Sequence, residues 1–346
     1  MIGKSRSVRN PRGPGWPPAV ARVIDDSMVE PVTRVLLGAI DVDGGATDEQ
    51  LAVLDAVVAG YWGRPDLELA ALAPFDPAGA AEAVTRPAHR RRVRELMVML
   101  ELCRHPLSVA QVTRVEEYAD ALGESGLGLV VARTLVYDGA AAAAADYLRF
   151  LGDRHSDFEE STLRGWPAGE DVVGANTELA ARLRQFHDLP EDTLGYQYVE
   201  FYRRNGIELP GDDANQPAVF VSHDMCHVIA GYEPTGQEEI ALGAMQLALD
   251  DTDAHWLSFL GNLSVHEAGF LGVGELVPKD ATLTRAGATD MLGRAFLRGS
   301  ECTGDFTTAD HLALAATPLE EVREQFGVPP LSVTPLSVTP LYVTPL

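Results

Sequence analysis

The residues whose types and spacing could do chemistry lie between positions 223 and 239, in the stretch HDMCHVIAGYEPTGQEE. Two histidines four apart, an aspartate beside the first and a pair of glutamates twelve residues on are the side chains a divalent cation takes as ligands. On a helix, residues four apart share a face, so His223 and His227 fall on one stripe with Phe220, Asp224 and Ala230. Val219, Val221, Met225, Cys226, Val228 and Ile229 make the other sides apolar. Such a helix is buried, and its polar stripe is expected to be buried with it. Taking two imidazoles and a carboxylate out of water without partners costs roughly 2–7 kcal/mol per polar group, which one cation can offset. The plainer interpretation makes the histidines hydrogen-bonded core residues and the acids helix caps. Four ligand-type residues converging on one hairpin favour the metal.

The neighbouring signals define that hairpin. Pro217 suits a first helical turn and Gly231 a helix C-terminus, although the β-branched run AVFVS leaves a strand open, which would dissolve the stripe. Thr235 with Glu238 three residues on is a capping box that opens the next helix, EIALGAMQLAL, so Glu238 is occupied at the helix start. Glu239 sits about 100° further round. A short turn packs its two helices side by side, so Glu239 can face the histidines. The expected ligand set is therefore His223, Asp224, His227 and Glu239. Zinc is the first choice for two nitrogens and two oxygens, with iron, manganese and magnesium also open. Cys226 falls on another side of the helix and is expected to be an apolar filler. Downstream, His255, Ser258, Asn262 and His266 share one broad helical face, either a wall of the site or a polar helix edge. His266 is carried as a candidate beside the ligands.

The elements that must position these residues are helical, and the fold class expected is all-α. Segments 47–59 and 108–120 repeat one pattern: Ser or Thr, Gln three residues later, then apolar residues at helical spacing. Leu51, Leu54 and Val58 form the stripe in the first, and Val112, Val115 and Ala119 in the second. Residues 139–150 are alanine-rich, and 177–187 carry Leu179, Leu183 and Phe186 along one side. The expected organisation is a flexible basic arm over 1–20, a helical domain over 21–165 and a multi-helix domain with the metal-binding hairpin over 166–330. A tail of LSVTP-type repeats follows over 331–346, and Gly-Trp-Pro at 165–167 marks the boundary between the helical parts. Asp41 and Asp43 suggest calcium, but the EF-hand register puts Ala39 at its first ligand position and Gln50 at its twelfth, which excludes it.

Bulk properties narrow the partners. With 346 residues and 46% hydrophobic side chains, the chain has enough apolar material for two domains with cores. A formal net charge of -24 argues against nucleic acid or an anionic membrane as a general partner. Three cysteines, an odd number far apart, argue against a disulfide framework and fit a reducing compartment. No run reaches the roughly 18 apolar residues that a membrane span requires, and the Arg-rich start has no apolar stretch behind it to act as a secretory signal. A cytoplasmic protein is expected, with peripheral contact at a membrane and homo-oligomerisation left open.

Two motifs carry a family resemblance. HDMCH followed by eleven residues and Glu239 resembles the HDxxH-x11-E signature of the coenzyme Q biosynthesis protein 4 family. Upstream, LPEDTLGYQYVEFYRRNG over 189–206 resembles that family's LPxxTLGxxYxxFxxxxG element, and the two together cover about residues 176–250. The resemblance implies an all-helical domain with a divalent metal on His223, Asp224, His227 and Glu239. It also implies action on an aromatic or prenylated quinone precursor, by removal of a ring carboxyl with hydroxylation at the same carbon, and partner proteins of a biosynthetic complex. The segment DDANQPAVFVS before His223 lacks the Arg-Glu pair usual in the family, which leaves the identity of the quinone open. Residues 30–125 resemble, more loosely, the tellurite-resistance-B-like helical domain through their duplication and the GAIDVDG stretch. Two competing readings stand beside this one. The first is a non-catalytic lipid-binding or scaffold protein with a structural metal. The second is an HD-type phosphohydrolase, which would need a further upstream histidine and downstream aspartate; His187 and Asp250 exist without supporting spacing.

Overall fold

The computed structural model describes residues 22–153, 177–211, 220–272 and 280–331. The basic arm, the Gly-Trp-Pro boundary and all of the repeat tail except Leu331 lie outside the described residues. Among the described residues the regular structure is helical, and the extended pairing amounts to two isolated bridges, Thr193 with Pro318 and Ala268 with Asp280. The all-α expectation is the observed class. Among the described residues, seven helices come from the first half: α1 (Asp26–Ile40), α2 (Asp48–Ala56), α3 (Pro77–Ala83), α4 (Pro87–Leu102), α5 (Val109–Leu122), α6 (Leu127–Tyr137) and α7 (Ala140–Asp153). A π-helical turn, Val57–Tyr61, continues α2. The second half supplies α8 (Thr177–Arg184), α9 (Leu194–Asn205), α10 (Phe220–Ala230), α11 (Gly236–Leu249), α12 (Asp253–His266), α13 (Ala288–Glu301), α14 (His311–Leu314) and α15 (Leu319–Phe326).

The sequence repeat has a structural purpose. At the start of α2, Thr47 and Gln50 exchange both hydrogen bonds of a capping box, side chain to backbone, at 3.1 Å each. At the start of α5, Ser108 accepts from the Gln111 amide, but the Gln111 side chain turns into the core instead of closing the box. Its Oε1 accepts from Gln50 and from Arg104, and its Nε2 donates to the Ala39 carbonyl. The two equivalent glutamines therefore meet each other, and their buried amides fix how the two units pack. Asp43 ties the same pair of units together by accepting from the Ser108 hydroxyl at 2.6 Å.

One helix joins the first half of the chain to the site. A Cβ placed on Gly60, in the π turn, would stand 2.1 Å from the Gly293 carbonyl oxygen on α13. Further along α13, a Cβ on Gly299 would stand 2.1 Å from the Met245 carbonyl oxygen on α11. In both places backbone lies directly on backbone, which only glycine permits. Side chains add further ties between the halves: Arg92 pairs with Asp251 and stacks over Trp256, and the Tyr147 hydroxyl donates to the Leu257 carbonyl. Among the described residues, buried apolar side chains from both halves, from Ile24 to Val328, belong to one core. All three cysteines are free thiols, and no helix among the described residues is long and apolar enough to cross a membrane.

Candidate metal centre

The hairpin is held from three sides. The stretch from Phe220 onward is α10 rather than a strand, and it ends at Gly231, whose φ of +80° suits a residue without a side chain. The last carbonyls of α10 are satisfied by two arginines. Arg323 donates to those of Val228 and Ile229, and Arg298 to that of Ala230, so cations meet the negative end of the helix. Thr235 occupies the N-cap position of α11, but the expected capping box is not formed. The Thr235 hydroxyl donates to Glu238 rather than capping a backbone amide, while Glu238 reaches back past it to accept from the Glu233 amide at 2.7 Å. Glu238 is thereby occupied at the helix start.

Beyond it, Glu239 points into the hairpin. Its Oε2 lies 3.2 Å from His223 Nε2 and 3.1 Å from His227 Nε2, and the two ring nitrogens are 3.2 Å apart. Two ligands bound about 2.1 Å from one zinc ion at a tetrahedral angle stand about 3.4 Å from each other. The three atoms thus already form nearly one face of such a polyhedron. His227 Nδ1 lies 3.2 Å from the Tyr232 carbonyl, which can only accept, so Nδ1 carries a proton and Nε2 is the nitrogen left to hold either a proton toward Glu239 or, in its place, a cation. The donor set fits a divalent cation.

Electrostatics describe what the same atoms do with a proton. Burial opposes a charge on His223, but the hydrogen bond and negative charge of Glu239 outweigh it and raise its pKa to about 9. Burial likewise opposes ionisation of Glu239, yet the charge of His227 and hydrogen bonds from both histidines hold it well below the usual carboxylate range. A cation would displace that proton.

Asp224 stands beside this triangle. One of its oxygens and one ring nitrogen from each histidine all lie within 4.8 Å of one another, and its Oδ2 accepts from the Tyr202 hydroxyl. Burial raises its pKa despite the two histidines, so it is less acidic than Glu239. The site is not equally closed all round: the His227 side chain is fully buried and that of Glu239 is 10% exposed, whereas that of His223 is 28% exposed. Access is from the His223 side.

Helix α9 is the part that the ligand spacing did not reveal. Thr193 caps it through the Tyr196 amide, and Tyr198, Phe201 and Tyr202 form a buried aromatic stripe. Phe201 stacks on His227 with ring centroids 5.6 Å apart, and Tyr202 reaches Asp224. The signal lay in the 198/201/202 spacing, which is that of one helix face.

The downstream face divides. Asn262 donates to the Glu239 backbone carbonyl at 3.0 Å, and His266 is buried beside Gly236, where a Cβ would be 3.4 Å from its Nδ1. His255 instead turns to the Asp250 carbonyl and the Thr307 hydroxyl. Cys226 lies on the opposite side of α10, 3.8 Å from His311 Nε2, and burial pushes its thiol pKa up. His187, the upstream histidine of the phosphohydrolase reading, is half exposed and pairs with Glu200.

No protein-family model and no curated protein matches the chain. Among solved structures, a candidate ubiquinone biosynthesis protein from Nostoc punctiforme is similar at 19% identity, over 68% of this chain and 98% of that one, with a TM-score of 0.33, too loose a likeness to carry fold or function across.

Proposed function

We propose that this chain is a divalent-metal-dependent protein acting on an aromatic or prenylated quinone-type precursor, with His223, His227 and Glu239 as ligands and Asp224 at their side. The observation that carries the metal is the triangle of Nε2, Nε2 and Oε2 atoms 3.1–3.2 Å apart, with the His227 tautomer fixed by the Tyr232 carbonyl. The substrate class rests on the resemblance of the HDMCH-x11-E and LPEDTLGYQYVEFYRRNG motifs to a quinone-biosynthesis family. It gains support from the way those motifs touch, Phe201 on His227 and Tyr202 on Asp224.

A bound divalent cation supplies Lewis acidity toward a carboxylate or phenolate oxygen, the charge that builds up as a ring carboxyl is lost. The protein's own groups divide the remaining work. Phe201 and the buried His227 keep water from one side, the Tyr202–Asp224 pair holds a proton next to the ligands, and the exposed edge of His223 leaves a way in. That edge favours a metal with an exchangeable position over the closed structural site of a scaffold protein. Elemental analysis tests the assignment: His227→Ala should lose one equivalent of metal relative to the wild-type protein, and equal metal content in the two would overturn it. Mass spectrometry of small molecules retained by the native protein tests the substrate class, with an aromatic or prenylated ring compound as the expected result.

A further inference from the structure

A second group of ligand-type side chains lies where the first half of the chain meets the second. Glu49 is in the first turn of α2, His105 in the loop between α4 and α5, and Glu267 directly after α12. One ligand atom from each lies within 4.8 Å of the other two. His105 Nε2 stands 2.5 Å from Glu267 Oε1 and 3.8 Å from Glu49 Oε2.

The charge balance of this cluster is unfinished. Glu267 is fully buried, and its other oxygen accepts from the Leu283 amide at 2.7 Å. The Glu49 side chain is 8% exposed, and its Oε1 is buried with no hydrogen-bond partner. Among the described residues neither carboxylate has a lysine or arginine as ion-pair partner, so two buried acids face one imidazole. Burial and the neighbouring Glu267 carboxylate push the Glu49 pKa up. A buried carboxylate oxygen with no donor is costly, and a like charge beside it adds to the cost. A cation would satisfy the orphaned oxygen and take the place of the proton that otherwise keeps the two carboxyls from both ionising. Two carboxylates and one imidazole from three segments, with His105 23% exposed, leave room for water as further ligand, the arrangement suited to manganese or zinc.

We infer that Glu49, His105 and Glu267 form a second divalent-cation site, one that clamps the start of α2, the α4–α5 loop and the end of α12 together. It shares no ligand with the hairpin site, so each can fail without the other.

Calorimetric titration of chelator-stripped full-length protein with Mn2+ or Zn2+ tests this, using Glu49→Gln, His227→Ala and the double variant. Glu49→Gln keeps the shape of the side chain, and thermal melts verify that each variant is folded. The expected stoichiometries are two for the wild type, one for each single variant and none for the double. The remaining site in His227→Ala should weaken at least about 100-fold when Glu49→Gln is added. Retention of that site with unchanged affinity in the double variant would overturn the inference. So would the absence of any binding in folded His227→Ala, which would mean that the two acids merely share a proton. If His227→Ala does not fold, loss of one equivalent in Glu49→Gln against the wild type supports the site, and equal stoichiometry in the two overturns it.

Discussion

The two carboxylate–histidine clusters are made of the same residue types and built in opposite ways. In the hairpin, His223, His227 and Glu239 lie within one helix–turn–helix, and local structure alone brings them to within 3.2 Å. The second cluster takes one residue from each of three segments, and His105 and Glu267 are 162 residues apart in sequence. A local site can assemble as soon as two helices pair, whereas a distributed one exists only after the whole fold has closed. The difference teaches where each cluster should be vulnerable. The hairpin should respond to changes in its immediate supports, and the distributed cluster should report on global stability.

The largest effect that would break this contrast belongs to Glu267. Its fully buried carboxylate joins His105 to the Leu283 amide, and Glu267→Ala leaves both without it. Losing the bond to His105 and leaving the Leu283 amide unpaired cost roughly 1–3 kcal/mol each, to be read as a lowered urea midpoint. A midpoint close to wild type would mean that the cluster does not hold the halves together.

Behind the hairpin, acid should act through His311. This buried ring contacts Ser222 and Cys226 on α10, and burial lowers its pKa to about 4, against smaller opposing effects of the Phe306 backbone, Asp305 and Asp310. Because the folded pKa lies below the ordinary value of 6.5, the folded state resists protonation. Its contribution is fully present above pH 6.5 and is lost as pH falls from there toward 4, by about 3 kcal/mol at most. In His311→Gln the fall in melting temperature over that window should be shallower than in the wild type.

Smaller changes sharpen the picture. Tyr202→Phe removes one hydrogen bond to Asp224 and should cost about 1 kcal/mol in chemical denaturation while leaving the metal stoichiometry unchanged, if Asp224 supports rather than carries the ion. Loss of the metal in this variant would make Asp224 a ligand equal to Glu239. Smallest is Glu49→Gln in metal-free protein near neutral pH, where the raised pKa already keeps the carboxyl protonated; the urea midpoint should move by less than about 0.5 kcal/mol equivalent. A large loss would show that the Glu49 charge is satisfied in a way that needs no cation.

Legibility in the sequence follows the same division. The helical class, the caps at Thr47 and Ser108 and the facing of Glu239 toward the histidines are consequences of periodicity and short spacing, so they could be read. The Thr235–Glu238 spacing predicts a capping box that does not form, because the Glu233 amide takes the glutamate, a contact that no i to i+3 pattern encodes. Tyr202 and Phe201 were visible as a motif and not as partners, because only the packing of α9 on α10 decides what an aromatic stripe touches. Glu49, His105 and Glu267 carried no signal at all. Their neighbours in sequence are ordinary helix ends, and their meeting depends on the docking of the two halves.

That docking sets a limit on how the chain can change over evolutionary time. Where side chains interdigitate, a loss of volume on one surface can be compensated by a gain on the other. At Gly60 against Gly293, and at Gly299 against Met245, there is no volume to exchange, since main chain rests on main chain. Drift at positions 60 and 299 has no second-site remedy short of moving α13 itself, and moving α13 displaces α11 with Glu239 on it. Two residues without side chains thus constrain the ligand geometry as firmly as the ligands do.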